Sequence, residues 1–112
     1  MRIDCGLYKH FKGKDYTVHG IVYDHRNREF VLYQKNYDDK PFWVRPISMF
    51  MEEVEVDGQK VKRFNLLNKT SEDDTFANLI NLLKNMSIVI FDSETEMPFK
   101  IFLLTPNYTK LS

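Results

Sequence analysis

Phe42-Trp43-Val44-Arg45-Pro46-Ile47-Ser48-Met49-Phe50 is the stretch on which the fold turns. In a strand, positions two apart share a face, so Trp43 and Arg45 stand together while Val44 points the other way. Pro46 has no N–H to give to a ladder, so the strand ends there. Residues 47–51 are too few for a packed helix and read as a single helical or 3₁₀ turn. If the Trp43 face is open, it presents an apolar plate beside a fixed positive fork, suited to a planar or anionic partner. If it is closed, Trp43 is a core anchor packed under Phe50, and Arg45 pairs with a surface acid.

Upstream, the spacing predicts a strand over residues 7–11, closed by Lys12-Gly13-Lys14-Asp15, and a second over 16–23 rich in β-branched and aromatic residues. A polar turn at 24–28 leads to a return strand over 29–36, so these two pair as a hairpin. Asp38 and Asp39 suit the next connection, since Asp bonds its own backbone in turns. Downstream, strands over 52–56 and 59–64 flank Asp57-Gly58, a two-residue hairpin signal. Five or six short strands with one helical turn in fewer than about sixty residues make a small closed or half-closed barrel.

The chain then changes character. Ser71 caps a helix that runs to about Asn85, with Asp74 in the capping-box position. Phe76, Leu79, Ile80, Leu82 and Leu83 lie on one stripe of it. Residues 87–92 and 99–104 are two further strands without polar alternation, so both of their faces need cover. They form a β-hairpin that joins the barrel, packs on the helix or makes an oligomer seam. The expected domains are therefore a barrel over 1–65 and a helix-plus-hairpin extension over 66–112.

Composition narrows the function classes. The 112 residues carry sixteen Lys plus Arg against sixteen Asp plus Glu, so no overall field favours duplex DNA or a membrane surface. Nothing approaches the length of a membrane span. The single cysteine, Cys5, fits a reducing compartment, and the N-terminus has no apolar run of signal-peptide length, so a cytoplasmic protein is expected. Aromatics reach 14%, which suits a small β domain whose few residues must fill a core.

No catalytic constellation emerges: there is no P-loop, dinucleotide glycine pattern or nucleophile elbow. His10, His19 and His25 lack ligand spacing, so neither a metal nor a cofactor is expected. Glu53 and Glu55 share a strand face that reads as solvated. Strand parity gives Phe11, Val18, Leu32 and Val44 as the inward row. That leaves Tyr8, His10, Tyr33, Trp43 and Arg45 on outward or rim positions as the candidate ligand-binding set. Aromatic rings beside an arginine are how small barrels hold nucleotides or single strands, and also how protein interfaces are anchored.

Several pieces of the sequence resemble one family. They are Tyr8-Lys9-His10-Phe11-Lys12-Gly13, Tyr16-Thr17-Val18, Trp43-Val44-Arg45-Pro46 with Met49-Phe50, and Glu53-Val54-Glu55-Val56-Asp57-Gly58 with Arg63-Phe64. Together they are similar to a small bacterial and phage family known as domain-of-unknown-function family 1653, over about residues 6–65. The resemblance implies an SH3-like β-barrel and brings no activity with it. Lys62 departs from the proline that the family usually has before Arg-Phe. The chain is thus expected to be a mainly β protein, a small SH3-like barrel of five to six short strands plus a C-terminal helix and β-hairpin. Its expected role is a non-enzymatic module for a nucleotide-like, nucleic-acid or other planar or anionic ligand. The alternative is a protein-interaction or self-association module using residues 71–104, of which a phage-encoded inhibitor of a host system is one instance.

Overall fold

The computed structural model describes residues 3–37, 42–70, 77, 81, 90–99 and 103–105. Its strands are β1 (Gly6–His10), β2 (Asp15–Tyr23), β3 (Glu29–Lys35), β4 (Phe42–Pro46), β5 (Glu53–Val56), β6 (Gln59–Lys62), β7 (Phe64–Lys69), β8 (Ile90–Asp92) and β9 (Leu103–Thr105), with α1 (Ile47–Phe50) after β4. The protein is mainly β, and its principal sheet curls into a half-barrel in the order β7-β1-β2-β3-β4-β8, with β9 beside β2. All pairs in it are antiparallel except β4–β8. β5 and β6 form a separate hairpin across Asp57 and Gly58, whose φ values of 51° and 79° are those of the expected two-residue turn. Glu53 and Glu55 are exposed and sit opposite Lys62 and Lys60.

The turn between β2 and β3 is held by a buried carboxylate. Asp24 Oδ1 accepts from the N–H groups of Arg26 and Arg28, both at 2.9 Å, and Oδ2 accepts from Arg28 Nε at 2.6 Å. Burial pulls the Asp24 pKa up, but the Arg28 N–H, the Arg28 guanidinium and the Arg26 N–H outweigh it and hold the carboxyl below its ordinary value.

Strand β2 carries an extra residue. Val18 lies opposite Tyr33 and Gly20 opposite Leu32, which leaves His19 without a partner in the ladder. Gly20, at φ +150°, takes a backbone conformation that side chains disfavour. A bulge shifts parity by one, so the residues before it and after it expose opposite sets to a given face. Tyr16 and Val18 therefore share a core with Ile21 and Tyr23, whereas Val22 enters a different one.

That first core also takes Tyr8, Val31, Tyr33, Ile47, Phe50 and Phe64. Phe50, delivered by the single turn of α1, stacks on Phe64 at 4.1 Å between ring centroids and meets Tyr8 and Tyr33 at 5.5 and 5.6 Å. The second core, on the other face of the sheet, is Val22, Phe30, Leu32, Val44 and Ile90, flanked by Phe42 and Phe99. The expected inward row of Phe11, Val18, Leu32 and Val44 is thus corrected. Val18 belongs to one core, Leu32 and Val44 to the other, and Phe11 is only half-buried. Tyr8 and Tyr33, expected on outward or rim positions, are buried in the first core. The physical reason is that the sheet is covered on both faces and β2 changes parity halfway.

The cover of the second face comes from beyond residue 66. Ser93 N donates to Val44 O at 2.9 Å where β8 lies along β4. The chain then folds back, with Asp92 N donating to Met97 O and Phe99 N to Ile90 O, and Phe99 packs on Phe30 at 4.8 Å. By Leu103 it is paired with residues 21–23 of β2, on the edge whose other half holds β1. The expected hairpin is therefore confined to residues near 90–99, and its second strand crosses to β2. The strand expected over 59–64 is also two: β6 ends at Lys62, and β7 runs through residue 66 along β1. Ala77 and Asn81 are helical and exposed, and the remainder of the helix expected over 71–85 lies outside the described residues.

This arrangement makes the C-terminal strands part of the barrel's stability. Val22, Phe30, Leu32 and Val44 are at most 3% exposed, and uncovering side chains of this kind costs about 1.5–3 kcal/mol each. The total rivals the stability of a small domain, about 5–15 kcal/mol. A chain ending at residue 70 is expected to lose its cooperative urea transition and to bind a hydrophobic dye. A transition with the midpoint of the full chain would show that the second core is not needed.

Candidate functional site

Where the first core reaches the surface, the ends of β1, β3 and β4 enclose a concavity of about 190 Å3. Its floor is aromatic, made by Tyr16, Tyr33 and Phe64, and its walls carry His10, Lys35, Trp43, Arg45, Ser93 and Glu96. Tyr33, Lys35, Trp43 and Arg45 arrive there by strand parity. Tyr33 lies opposite Trp43 in the β3–β4 ladder, and Lys35 and Arg45 follow each at two residues' distance. His10 comes from the last position of β1, and Ser93 and Glu96 from the turn after β8.

Four of the five expected ligand-binding residues, His10, Tyr33, Trp43 and Arg45, thus line one concavity. Tyr8 does not join them. It faces a second hollow of about 230 Å3 with Ile3, Asp4, Phe50, Met51, Lys62, Phe64 and Leu66. There its hydroxyl donates to Asp4 O at 2.6 Å. Burial, then the nearby charges of Asp4 and Cys5, raise its pKa well above that of a free phenol. That second hollow is mostly apolar, whereas the first gathers charge.

The charge is free to act on a ligand. Among the described residues the ion pairs engage Lys9 with Asp15, Arg28 with Asp24, Arg63 with Glu52 and Lys69 with Asp4. Among the described residues Lys35 and Arg45 pair with no carboxylate. Lys35 Nζ instead sits 4.5 Å from the centroid of the Trp43 ring, and Arg45 Nε donates to Tyr33 Oη at 3.5 Å. A cation held over a ring or by a phenol keeps its full charge, unlike one neutralised by an acid. Glu96, on the exposed rim, is the opposing carboxylate.

His10 adds a group that can change its charge. Its Nδ1 accepts from Lys12 N at 3.2 Å, so in the neutral ring the proton is on Nε2. Its ring meets Phe64 edge-on at 4.9 Å and Tyr16 at 6.0 Å. Burial, then the positive charges of Arg63, Arg45 and Lys12, push its pKa below the ordinary histidine value.

Two polar atoms of the site have no hydrogen-bond partner among the described residues. They are Trp43 Nε1 and Ser93 Oγ, and both are buried. A buried polar atom left without a hydrogen bond costs about 1–3 kcal/mol, and both atoms belong to side chains that line the concavity. The Trp43 ring packs on Phe91 at 5.7 Å and against the edge of the first core. With Lys35 over it as well, the face of the indole is already occupied. Among the described residues no group of three His, Cys, Asp or Glu side chains is placed to hold a metal ion. None of their helices is long and apolar enough to cross a membrane.

Sequence reasoning left Lys35 and Ser93 out of the set. Lys35 carries a local signal, since it lies two residues beyond Tyr33 on the same strand face. Ser93 carries none, because only the parallel pairing of β8 with β4 brings it to Trp43's surroundings.

No curated protein and no solved structure matches the chain. One family pattern matches residues 6–66, from β1 into β7, a span that includes His10, Tyr33, Lys35, Trp43 and Arg45 and excludes Ser93 and Glu96. With more than half of its length matched, the chain belongs to the family described as protein of unknown function, DUF1653.

Proposed function

We propose that this protein is a non-enzymatic cytoplasmic binding module that holds the anionic group of a small or nucleotide-like ligand in the His10–Lys35–Trp43–Arg45 concavity. The observation that carries this reading is a convergence. Cationic or ionisable side chains from three strands line a single hollow together with Trp43 and Ser93, each of which carries a buried polar atom with no hydrogen-bond partner among the described residues. Arg45 supplies a planar fork for two oxygens, Lys35 a point charge, and Trp43 Nε1–H and Ser93 Oγ–H directed hydrogen bonds. The size of the hollow selects among ligands. At about 190 Å3 it is below the roughly 300–1,000 Å3 of sites that enclose drug-sized molecules. It suits a phosphate or carboxylate head with the rest of the ligand outside. Stacking a base on Trp43 would first require displacing Lys35, so the anionic group, more than a planar ring, is what this surface favours.

One observation favours the other reading, self-association. Among the described residues β7 is an edge strand, and its Leu66 and Leu67 are 40% and 53% exposed. Unpaired edges with apolar side chains are templates for strand pairing with another chain. Concentration-dependent sedimentation that is abolished by Leu67→Lys would support that role.

The binding reading is tested by calorimetric titration of the protein with inorganic phosphate and with nucleotides. Arg45→Lys keeps the charge but loses the fork and is expected to weaken binding about tenfold, the scale of one lost charge-assisted hydrogen bond. Glu96→Gln removes the opposing charge and is expected to tighten binding. Equal affinities in all three proteins would remove the concavity from consideration.

The pH dependence has a definite sign. In the free site His10 is held neutral by burial and by Arg63, Arg45 and Lys12, and a bound anion offsets those charges and raises its pKa. The bound state then carries the extra proton, so affinity rises as pH falls through the ordinary histidine range and a proton is taken up on binding. Titration in buffers of different ionisation enthalpy measures that uptake. His10→Gln is expected to abolish it, and an unchanged uptake would assign it to another group.

A further inference from the structure

We propose that the anion site continues along Lys35, Tyr37 and Lys14, so that it takes consecutive phosphate groups of one ligand rather than a lone anion. This rests on the reading of the concavity as an anion site. Tyr37 stands at its edge, its hydroxyl 2.7 Å from that of Tyr16 on the floor and its ring edge-on to Tyr16 at 5.7 Å. Two ammonium groups lie over the Tyr37 ring: Lys14 Nζ at 5.1 Å and Lys35 Nζ at 5.7 Å from its centroid. Lys35 is also the group over Trp43. Lys14, Lys35 and Arg45 therefore form one line of positive charge from the β1–β2 turn to the end of β4, fixed at intervals by Tyr37, Trp43 and Tyr33.

None of the three pairs with a carboxylate among the described residues, and Asp15, next to Lys14 in the chain, is 3.9 Å from Lys9. Rings that locate cations without neutralising them leave a row of charges available to a ligand whose own charges are in a row. Because the ring faces of Tyr37 and Trp43 already carry ammonium groups, such a ligand is read through its phosphates, with its bases or sugar left outside. The shared chemistry is a run of linked phosphates, as in a nucleoside polyphosphate or the backbone of a single strand.

The test is calorimetric titration of the full chain with inorganic phosphate, inorganic triphosphate and a deoxythymidine hexanucleotide, in the native protein and in Lys14→Ala. Lys14 is exposed and contributes only its backbone to the turn, so the variant keeps its fold. The triphosphate or the hexanucleotide is expected to bind about tenfold tighter than phosphate. Lys14→Ala should remove about threefold of that gain while leaving phosphate binding unchanged, the effect of one counterion-releasing contact between low and physiological salt. A gain confined to triphosphate assigns a polyphosphate ligand, and a gain confined to the hexanucleotide assigns a single-strand backbone. Equal affinity for all three probes, or equal weakening of all three in Lys14→Ala, would overturn the extended track while phosphate binding kept the single-anion site. Absence of binding to every probe, phosphate included, would overturn both.

Discussion

The unpaired His19 in β2 is the constraint on which the rest of the molecule depends. A nine-residue strand that kept strict alternation would put Tyr16, Val18 and Val22 on one face and Ile21 and Tyr23 on the other. With one extra residue at its centre, β2 supplies Tyr16, Val18, Ile21 and Tyr23 to one core and Val22 to the other. The bulge also bends the strand, so that its first half pairs with β1 and its second half with β9 along the same edge. His19 itself is held there by a hydrogen bond between Nε2 and Gln34 Oε1 at 3.1 Å and by the Phe42 ring at 5.5 Å. Burial lowers its pKa against the opposing effect of that hydrogen bond, so the ring is kept neutral.

A sheet buried on both faces has little room for function except at its strand ends. There the first core opens, and side chains that are long, charged or both extend from its aromatic floor to water. The site follows from this geometry: Tyr16, Tyr33 and Phe64 belong to the core, while His10, Lys35 and Arg45 are the residues one step further out on the same faces. The second core makes its own contribution. By holding β8 against β4 it places Ser93 and Glu96 over a surface otherwise built entirely within residues 6–66, so the C-terminal strands both cover the fold and complete the concavity.

Much of this was legible in the sequence, for physical reasons that differ by element. Pro46 ended β4 and α1 followed as one turn, because a missing N–H and a four-residue limit act locally. Asp57-Gly58 gave its hairpin because few residue pairs tolerate two positive φ values. Trp43 and Arg45 share a face because strand parity is rigid over three residues. Tyr33 lies in the first core because the bulge at His19 sets it, not Leu32, opposite Val18, and a bulge has no local signature beyond a glycine; Tyr8, not Phe11, fills the core from β1 because it lies opposite Tyr16. β7 was missed because Asn65 and Asn68 weaken its strand character, and its pairing with β1 is a long-range event. Ser93 could not be found from sequence at all, since a parallel strand pair is joined only through a long crossover.

An anionic group held among His10, Lys35 and Arg45 would lie against the Trp43 indole. Trp43 is the only tryptophan, so its indole gives a single, unambiguous proton–nitrogen resonance. Addition of inorganic phosphate at constant ionic strength is predicted to move that resonance downfield and to saturate, as the unpartnered N–H gains an acceptor. The same titration with chloride should leave it in place. An indole signal that stays still in phosphate, or that shifts equally in chloride, would contradict the account.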